Sequence, residues 1–107
     1  MRTLVYAEPH RMELRDAPVP GPRPTEVVVK VEAAGVCGSD LHGYLGKSLN
    51  RKPPLVMGHE FAGVVASVGE AVRDISAGTA VAVYPLITCG RCHALSLIHI
   101  SEPTRPY

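Results

Sequence analysis

The stretch "GHEFAGVVASVG", residues 58–69, joins a polar His-Glu pair to an apolar segment with a regular alternation. Val64, Ala66 and Val68 occupy every second position of that segment. Side chains of a β-strand point alternately to opposite faces, so this spacing predicts a strand with one apolar face. We expect these three side chains to face the core and the His-Glu pair to stand just before the strand.

The same alternation appears in two other segments, at Val27, Val29 and Val31 and at Val81 and Val83. Both segments are therefore predicted to be strands with an apolar face. Short strands separated by glycine and proline indicate an all-β barrel or sandwich. No glycine-rich phosphate-binding loop follows any predicted strand, so the sequence indicates no nucleotide-binding fold.

The segments around these strands complete a mainly β chain. Residues 1–15 suit a hairpin with its turn near residues 8–11. Residues 17–26 suit an extended connector, because proline recurs there at every second position. Helical evidence is limited to one short turn in "SDLHGYLGKSL", which Ser39 or Asp40 is expected to cap.

The bulk composition excludes several classes of protein. The 107 residues are 46% hydrophobic and 20% charged, with a net charge of +1, which fits one globular domain without a nucleic-acid partner. No apolar run is long enough to span a membrane, and Glu8, His10 and Arg11 interrupt the N-terminal apolar run, so it is not a secretory signal. We expect a cytoplasmic protein without membrane contact, whose cysteines are ligands or free thiols.

The segment "GVCGSDLHGYLG", residues 35–46, concentrates reactive side chains. Cys37, Ser39, Asp40 and His42 lie within six residues. A thiolate binds zinc, a hydroxyl can pass a proton, a carboxylate can orient an imidazole, and a histidine can change its charge near neutral pH. The alternative is a glycine-rich loop with a buried cysteine and solvated polar residues, and this segment alone does not separate the two interpretations.

Two further pairs have the residue types of metal ligands. His59 and Glu60 precede a strand, where a histidine is more often a hydrogen-bonded structural residue. Combined with Cys37, however, they supply sulfur, nitrogen and oxygen ligands for zinc from two loops. Cys89 and Cys92 form a CxxC pair, which suits half of a structural zinc site, a redox pair or a chance pair. The redox interpretation requires a βαβ context that the sequence lacks.

Three segments of the chain, in their order and spacing, resemble the N-terminal part of zinc-dependent medium-chain alcohol and polyol dehydrogenases. These segments are "GVCGSDLH", "GHEFAGVVASVGEAV" and "CGRCHA". The resemblance extends from Met1 to Ala94. It implies an incomplete GroES-like β-barrel over residues 1–94, with the NAD(P)-binding Rossmann domain of the family absent from this chain.

The resemblance also implies a metal centre. Cys37, His59 and Glu60 match the ligands of a catalytic zinc, and Asp40 matches the aspartate that hydrogen-bonds the ligand histidine. The structural zinc site of the family has four cysteines. Cys89 matches the first of them, and Cys92 matches the second.

Two residues match the family's proton path. Ser39 matches the hydroxyl that bonds the substrate oxygen, and His42 matches the outer end of a proton relay. The implied reaction is oxidation of a small-molecule alcohol or polyol, with sugar alcohols or their phosphates favoured, by hydride transfer to NAD(P). The resemblance further implies a homo-oligomeric parent protein.

Three alternatives stay open at the level of sequence. One is a threonine-type dehydrogenase, and another is a non-catalytic GroES-like oligomerising module, which has no need of Cys37, His59 and Glu60. A third is a zinc-free quinone reductase, which lacks this ligand set and the CxxC loop.

The sequence departs from the family after Ala94. The family has a third cysteine where this chain has Leu95, and residues 95–107 resemble a translated sequencing adapter. We therefore expect a non-native tail and an incomplete structural zinc site. The alternative is a divergent native segment in which His99 replaces a cysteine ligand.

We predict that the purified chain oxidises no alcohol with NAD(P), because its sequence contains no cofactor domain. The measurement is nicotinamide reduction over a panel of alcohols, polyols and hydroxy amino acids. Robust turnover with any of them would contradict the expectation.

Overall fold

The computed structural model describes residues 1–86 and is built mainly from strands. The elements are β1 (Arg2–Glu8), β2 (Arg11–Asp16), β3 (Val27–Gly35), α1 (Gly38–Tyr44), β4 (Glu60–Val68) and β5 (Ala80–Ala82). They form a two-stranded sheet, β1-β2, and a three-stranded sheet in the order β3-β4-β5. The mainly β prediction is confirmed, and within residues 1–86 the sheets are open and do not close into a barrel.

The predicted N-terminal hairpin is present as the antiparallel pair β1-β2. His10 lies in its turn with a φ of 67°, in the left-handed region that two-residue hairpin turns favour. Tyr6 is 1% exposed and anchors the hairpin to the loop between α1 and β4. Its N–H donates to the Leu55 carbonyl at 2.7 Å, and its carbonyl accepts from the Leu55 N–H at 3.0 Å.

The three-stranded sheet places the two loops of the predicted metal site side by side. β3 and β4 pair antiparallel from Val27 opposite Val68 to Gly35 opposite Glu60. The last residue of β3 therefore lies beside the first residue of β4. Consequently the residues that follow β3 and those that precede β4 emerge at the same end of the sheet.

The predicted apolar face of β4 is wrong. The buried residues are Gly63 and Val65, the latter at 1% exposure, whereas Ala66 is exposed. The register with β3 skips Ala66 between the pairs Val28–Ser67 and Val29–Val65, so Ala66 is the extra residue of a bulge. A bulge breaks the alternation of faces, which the sequence pattern assumes to be unbroken.

The apolar faces predicted for the neighbouring strands are only partly buried. In β3, Val27 and Val29 are half-buried, but Val31 is 49% exposed. In β5, Val81 is half-buried between exposed alanines, which agrees with the predicted alternation. The periodicity therefore located the strands better than it located the core.

No helix among residues 1–86 is long and apolar enough to cross a membrane. Cys89, Cys92 and the predicted tail of residues 95–107 lie outside the described residues.

We predict that Gly63→Ala destabilises the sheet by about 1–3 kcal/mol, as over-packing of a filled site does. A Cβ at Gly63 would collide with the backbone of Lys30 and Val31 on the paired strand, and backbone cannot swing aside. Urea unfolding of the chain measures the loss. The control Ala66→Ser alters an exposed position of the same strand, and equal unfolding midpoints for both variants would contradict the prediction.

Candidate metal centre

Three potential metal ligands meet where β3 ends and β4 begins. Cys37 follows β3 by two residues, His59 precedes β4, and Glu60 is its first residue. One potential ligand atom from each side chain lies within 4.8 Å of the other two. Cys37 and His59 are half-buried and Glu60 is exposed, so the cluster lies at the surface with one solvent-facing side.

The donor set fits a zinc ion. Sulfur, nitrogen and oxygen are the zinc ligands of proteins, with bonds of about 2.0–2.3 Å, which set neighbouring ligand atoms of a tetrahedron about 3.3–3.7 Å apart. The observed upper bound of 4.8 Å needs only small side-chain movements to reach those separations. Three protein ligands would leave one tetrahedral position open, as in catalytic zinc sites.

Asp40 connects this cluster to the start of α1. Its side chain is 10% exposed, and its Oδ2 accepts a hydrogen bond from the Cys37 N–H at 3.1 Å. The prediction that Ser39 or Asp40 caps the helix is wrong, because Cys37 is the N-cap residue and Asp40 lies three residues later. A carboxylate at that third position can bond back to the N-cap N–H, so Asp40 still stabilises the helix start.

The other oxygen of Asp40 faces the candidate ligand histidine. Asp40 Oδ1 lies 3.4 Å from His59 Nδ1 and 3.5 Å from Arg51 Nη2. It is buried and accepts no well-aligned hydrogen bond from the described residues. A carboxylate beside one ring nitrogen orients a metal-binding imidazole and leaves the other nitrogen, Nε2, for the metal. The role of Asp40 in orienting this histidine stays a prediction.

The predicted proton-path residues lie on α1, next to the cluster. Ser39 and His42 are three residues apart on the helix and exposed, so they are neighbours on its surface. Ser39 Oγ accepts a hydrogen bond from Arg51 Nη2 at 3.3 Å. Arg51 was missed by the sequence analysis, because an arginine in a loop carries no motif that would identify it.

An apolar cavity of about 390 Å³ adjoins the cluster. Asp40 and Gly58 reach it from the metal side, and the rest of its wall is mostly aliphatic, thioether and aromatic, including Leu4, Met12, Leu41, Tyr44 and Met57. Tyr44 lines the cavity and also contacts the N-terminal hairpin, where its hydroxyl donates a hydrogen bond to the His10 carbonyl at 3.0 Å. The candidate ligands themselves do not line the cavity, but Val36 and Gly58, the chain neighbours of Cys37 and His59, do.

Comparison with known proteins relates this arrangement to a family. The family model described as alcohol dehydrogenase GroES-like domain matches residues 23–100. The matched range passes the boundary predicted at Ala94, and that boundary stays a prediction because residues 87–107 lie outside the described part.

Individual relatives are similar over nearly the whole chain. Sorbitol dehydrogenase of Bacillus subtilis is 40% identical over 97 residues, which are 88% of this chain and 28% of that enzyme. L-threonine 3-dehydrogenase of Thermococcus kodakarensis is 38% identical over 111 residues, 98% of this chain and 32% of that enzyme. A crystal structure of a zinc-binding dehydrogenase from Sinorhizobium meliloti bound to NADP matches with a TM-score of 0.78 and 36% identity, over 94% of this chain and 29% of that one. The chain thus spans 28–32% of the length of the curated relatives it matches.

We predict that Gly35→Ala weakens zinc binding by roughly tenfold, the lower end of the loss seen when residues supporting a metal ligand are changed. A Cβ at Gly35 would lie 2.9 Å from Glu60 Oε2 and would push that carboxylate away from Cys37 and His59. Zinc affinity is measured by competition with a chelator. The matched control is Gly38→Ala, on the other side of Cys37, where a Cβ meets no atom within 4 Å. Equal affinities for the two variants would contradict the prediction.

Proposed function

The chain belongs to the alcohol dehydrogenase GroES-like domain family, and we propose that it forms the metal-binding part of a zinc-dependent oxidoreductase that oxidises an alcohol or polyol with NAD(P). The observation that supports this proposal most directly is the cluster of Cys37, His59 and Glu60, whose ligand atoms lie within 4.8 Å of one another. A non-catalytic oligomerising module would have no use for such a cluster beside an apolar cavity.

In this proposal each residue of the site has a separate task. Cys37, His59 and Glu60 would hold the zinc, which when bound would supply Lewis-acid polarisation of an alcohol oxygen. Asp40 orients the imidazole of His59 through Nδ1. Ser39 Oγ would accept the proton of the alcohol while its own hydroxyl proton leaves toward His42, which is exposed and can release a proton to water.

The relatives support a proposal for the substrate class. We propose a sugar alcohol or its phosphate as substrate, supported by the 40% identity to a sorbitol dehydrogenase. The similarity to an L-threonine 3-dehydrogenase, at 38% identity, favours a hydroxy amino acid as the second candidate. The mostly apolar cavity wall supplies few hydrogen bonds for either polar molecule, so the similarity to these relatives alone supports the choice of substrate class.

The remaining parts of the proposal concern a longer protein. Residues 1–86 contain no βαβ unit, so the described part offers no dinucleotide-binding fold. NAD(P) would bind to a further domain, as expected when the chain spans 28–32% of its curated relatives. We also propose that the longer protein is a cytoplasmic homo-oligomer that acts on a small molecule and binds neither membrane nor nucleic acid.

A chimeric enzyme tests the proposal. Residues 1–86 replace the corresponding segment of the Bacillus subtilis sorbitol dehydrogenase, and NAD(P) reduction is followed with sorbitol, sorbitol phosphate and threonine. We expect zinc-dependent oxidation, and a fall in kcat of about 100-fold or more for Ser39→Ala, the contribution typical of positioned proton transfer.

Two further variants make this test specific. Ser76→Ala, at an exposed position of the loop before β5, should leave kcat unchanged, and Cys37→Ser should abolish both zinc content and activity. A soluble chimera whose activity survives Cys37→Ser would refute the proposed function.

A further inference from the structure

Arg51 contacts two residues of the candidate site and belongs to none of its motifs. It belongs to the loop that leads from α1 to His59, and its side chain is 23% exposed and lies against α1. Nη1 donates to the Ser39 carbonyl and Nη2 to Ser39 Oγ at 3.3 Å. The same Nη2 lies 3.5 Å from Asp40 Oδ1. One guanidinium thus bridges the proposed proton acceptor and the carboxylate that faces the candidate ligand histidine.

The stem of Arg51 packs against α1. Its Cδ lies against Gly43, where an added Cβ would come within 2.6 Å of it. Gly43 is buried on α1, so the missing side chain there provides the space in which the stem lies. The helix therefore receives Arg51 in a fitted groove, and the direction of the guanidinium is set by packing as well as by hydrogen bonds.

The Asp40 carboxylate needs this cation. Its side chain is 10% exposed, and a buried carboxylate without a partner is costly. A histidine that binds a metal is neutral, so His59 supplies no positive charge when it acts as a ligand. Among the residues that the structure describes, Arg51 is the permanently charged group within 4 Å of Asp40.

The contact with Ser39 also restricts where the hydroxyl proton of that serine points. A serine hydroxyl has one donor and two acceptor positions, whereas a guanidinium only donates. Because Ser39 Oγ accepts from Arg51, its own O–H must point away from the guanidinium. Arg51 therefore restricts the orientation of the hydroxyl that the proposed reaction uses.

We propose that Arg51 is a positioning residue of this site, which holds Asp40 against His59 and orients the Ser39 hydroxyl. The role at the metal rests on the proposed function, whereas the coupling between Arg51 and Asp40 does not. Arg51→Met keeps the stem that packs on Gly43 and removes the charge and the hydrogen bonds. Arg51→Lys keeps a charge but loses the two-pronged contact, since an ammonium is a point charge.

The first measurement is cobalt affinity of the full chain, carrying Cys89→Ser and Cys92→Ser so that only the candidate site is observed. We expect Arg51→Met to weaken cobalt binding by roughly tenfold, the effect typical of residues that support metal ligands, and Arg51→Lys to weaken it less. The control Arg73→Met removes an exposed arginine whose bonds go to the backbone carbonyls of Glu70 and Val72, and should change nothing. A purely structural arginine would lower stability without altering the cobalt affinity of the folded protein, and that result would overturn the proposal.

The second measurement needs no metal. In a double-mutant cycle of Arg51→Met with Asp40→Asn, urea unfolding of the metal-free chain should give a coupling of at least about threefold in the unfolding equilibrium constant. Absence of coupling would overturn the proposal whether or not cobalt binds. Failure of the Cys89→Ser/Cys92→Ser chain to bind cobalt, with the coupling intact, would instead contradict the proposed function and leave Arg51 as the residue that holds Asp40.

Discussion

The antiparallel pairing of β3 with β4 is the constraint on which the candidate metal centre depends. Gly35 lies opposite Glu60 at the end of this pair, so Cys37 and His59 emerge next to each other from the same end of the sheet. Because strand side chains alternate between faces, a slip of one residue would send Glu60 to the opposite face. Two bulges are part of this register, one at Glu32 in β3 and one at Ala66 in β4. Because each strand contains one extra residue, the pairing still ends with Gly35 opposite Glu60.

Asp40 converts this backbone arrangement into an ordered polar site. One of its oxygens holds the Cys37 N–H at the start of α1, and the other faces both His59 and Arg51. The helix start, the candidate ligand histidine and the loop arginine therefore share one buried carboxylate. In a largely desolvated position such a network is stable only when its members remain together, because a lone charge there is costly.

Features of this fold that depend on neighbouring residues are predictable from the sequence, whereas features created by pairing between strands are not. The hairpin of residues 1–15 and the strands that contain Val27, Val64 and Val81 were predicted, because alternation depends on neighbouring residues. The core face of β4 was not predicted, because the bulge at Ala66 is created by pairing with another strand. The cap of α1 was placed too late, because the carboxylate of Asp40 bonds back to Cys37 instead of starting the helix itself.

The sequence by itself determined the strand content, the donor atoms at Cys37, His59 and Glu60, and the family, because alternation and motif spacing are written along the chain. Only the tertiary structure decided that these donors meet, that Gly35 leaves room for Glu60, and that Arg51 contacts Ser39 and Asp40. Those contacts join segments far apart in the chain, and the distances between such segments are set by strand register and helix packing. No local pattern of residues records them.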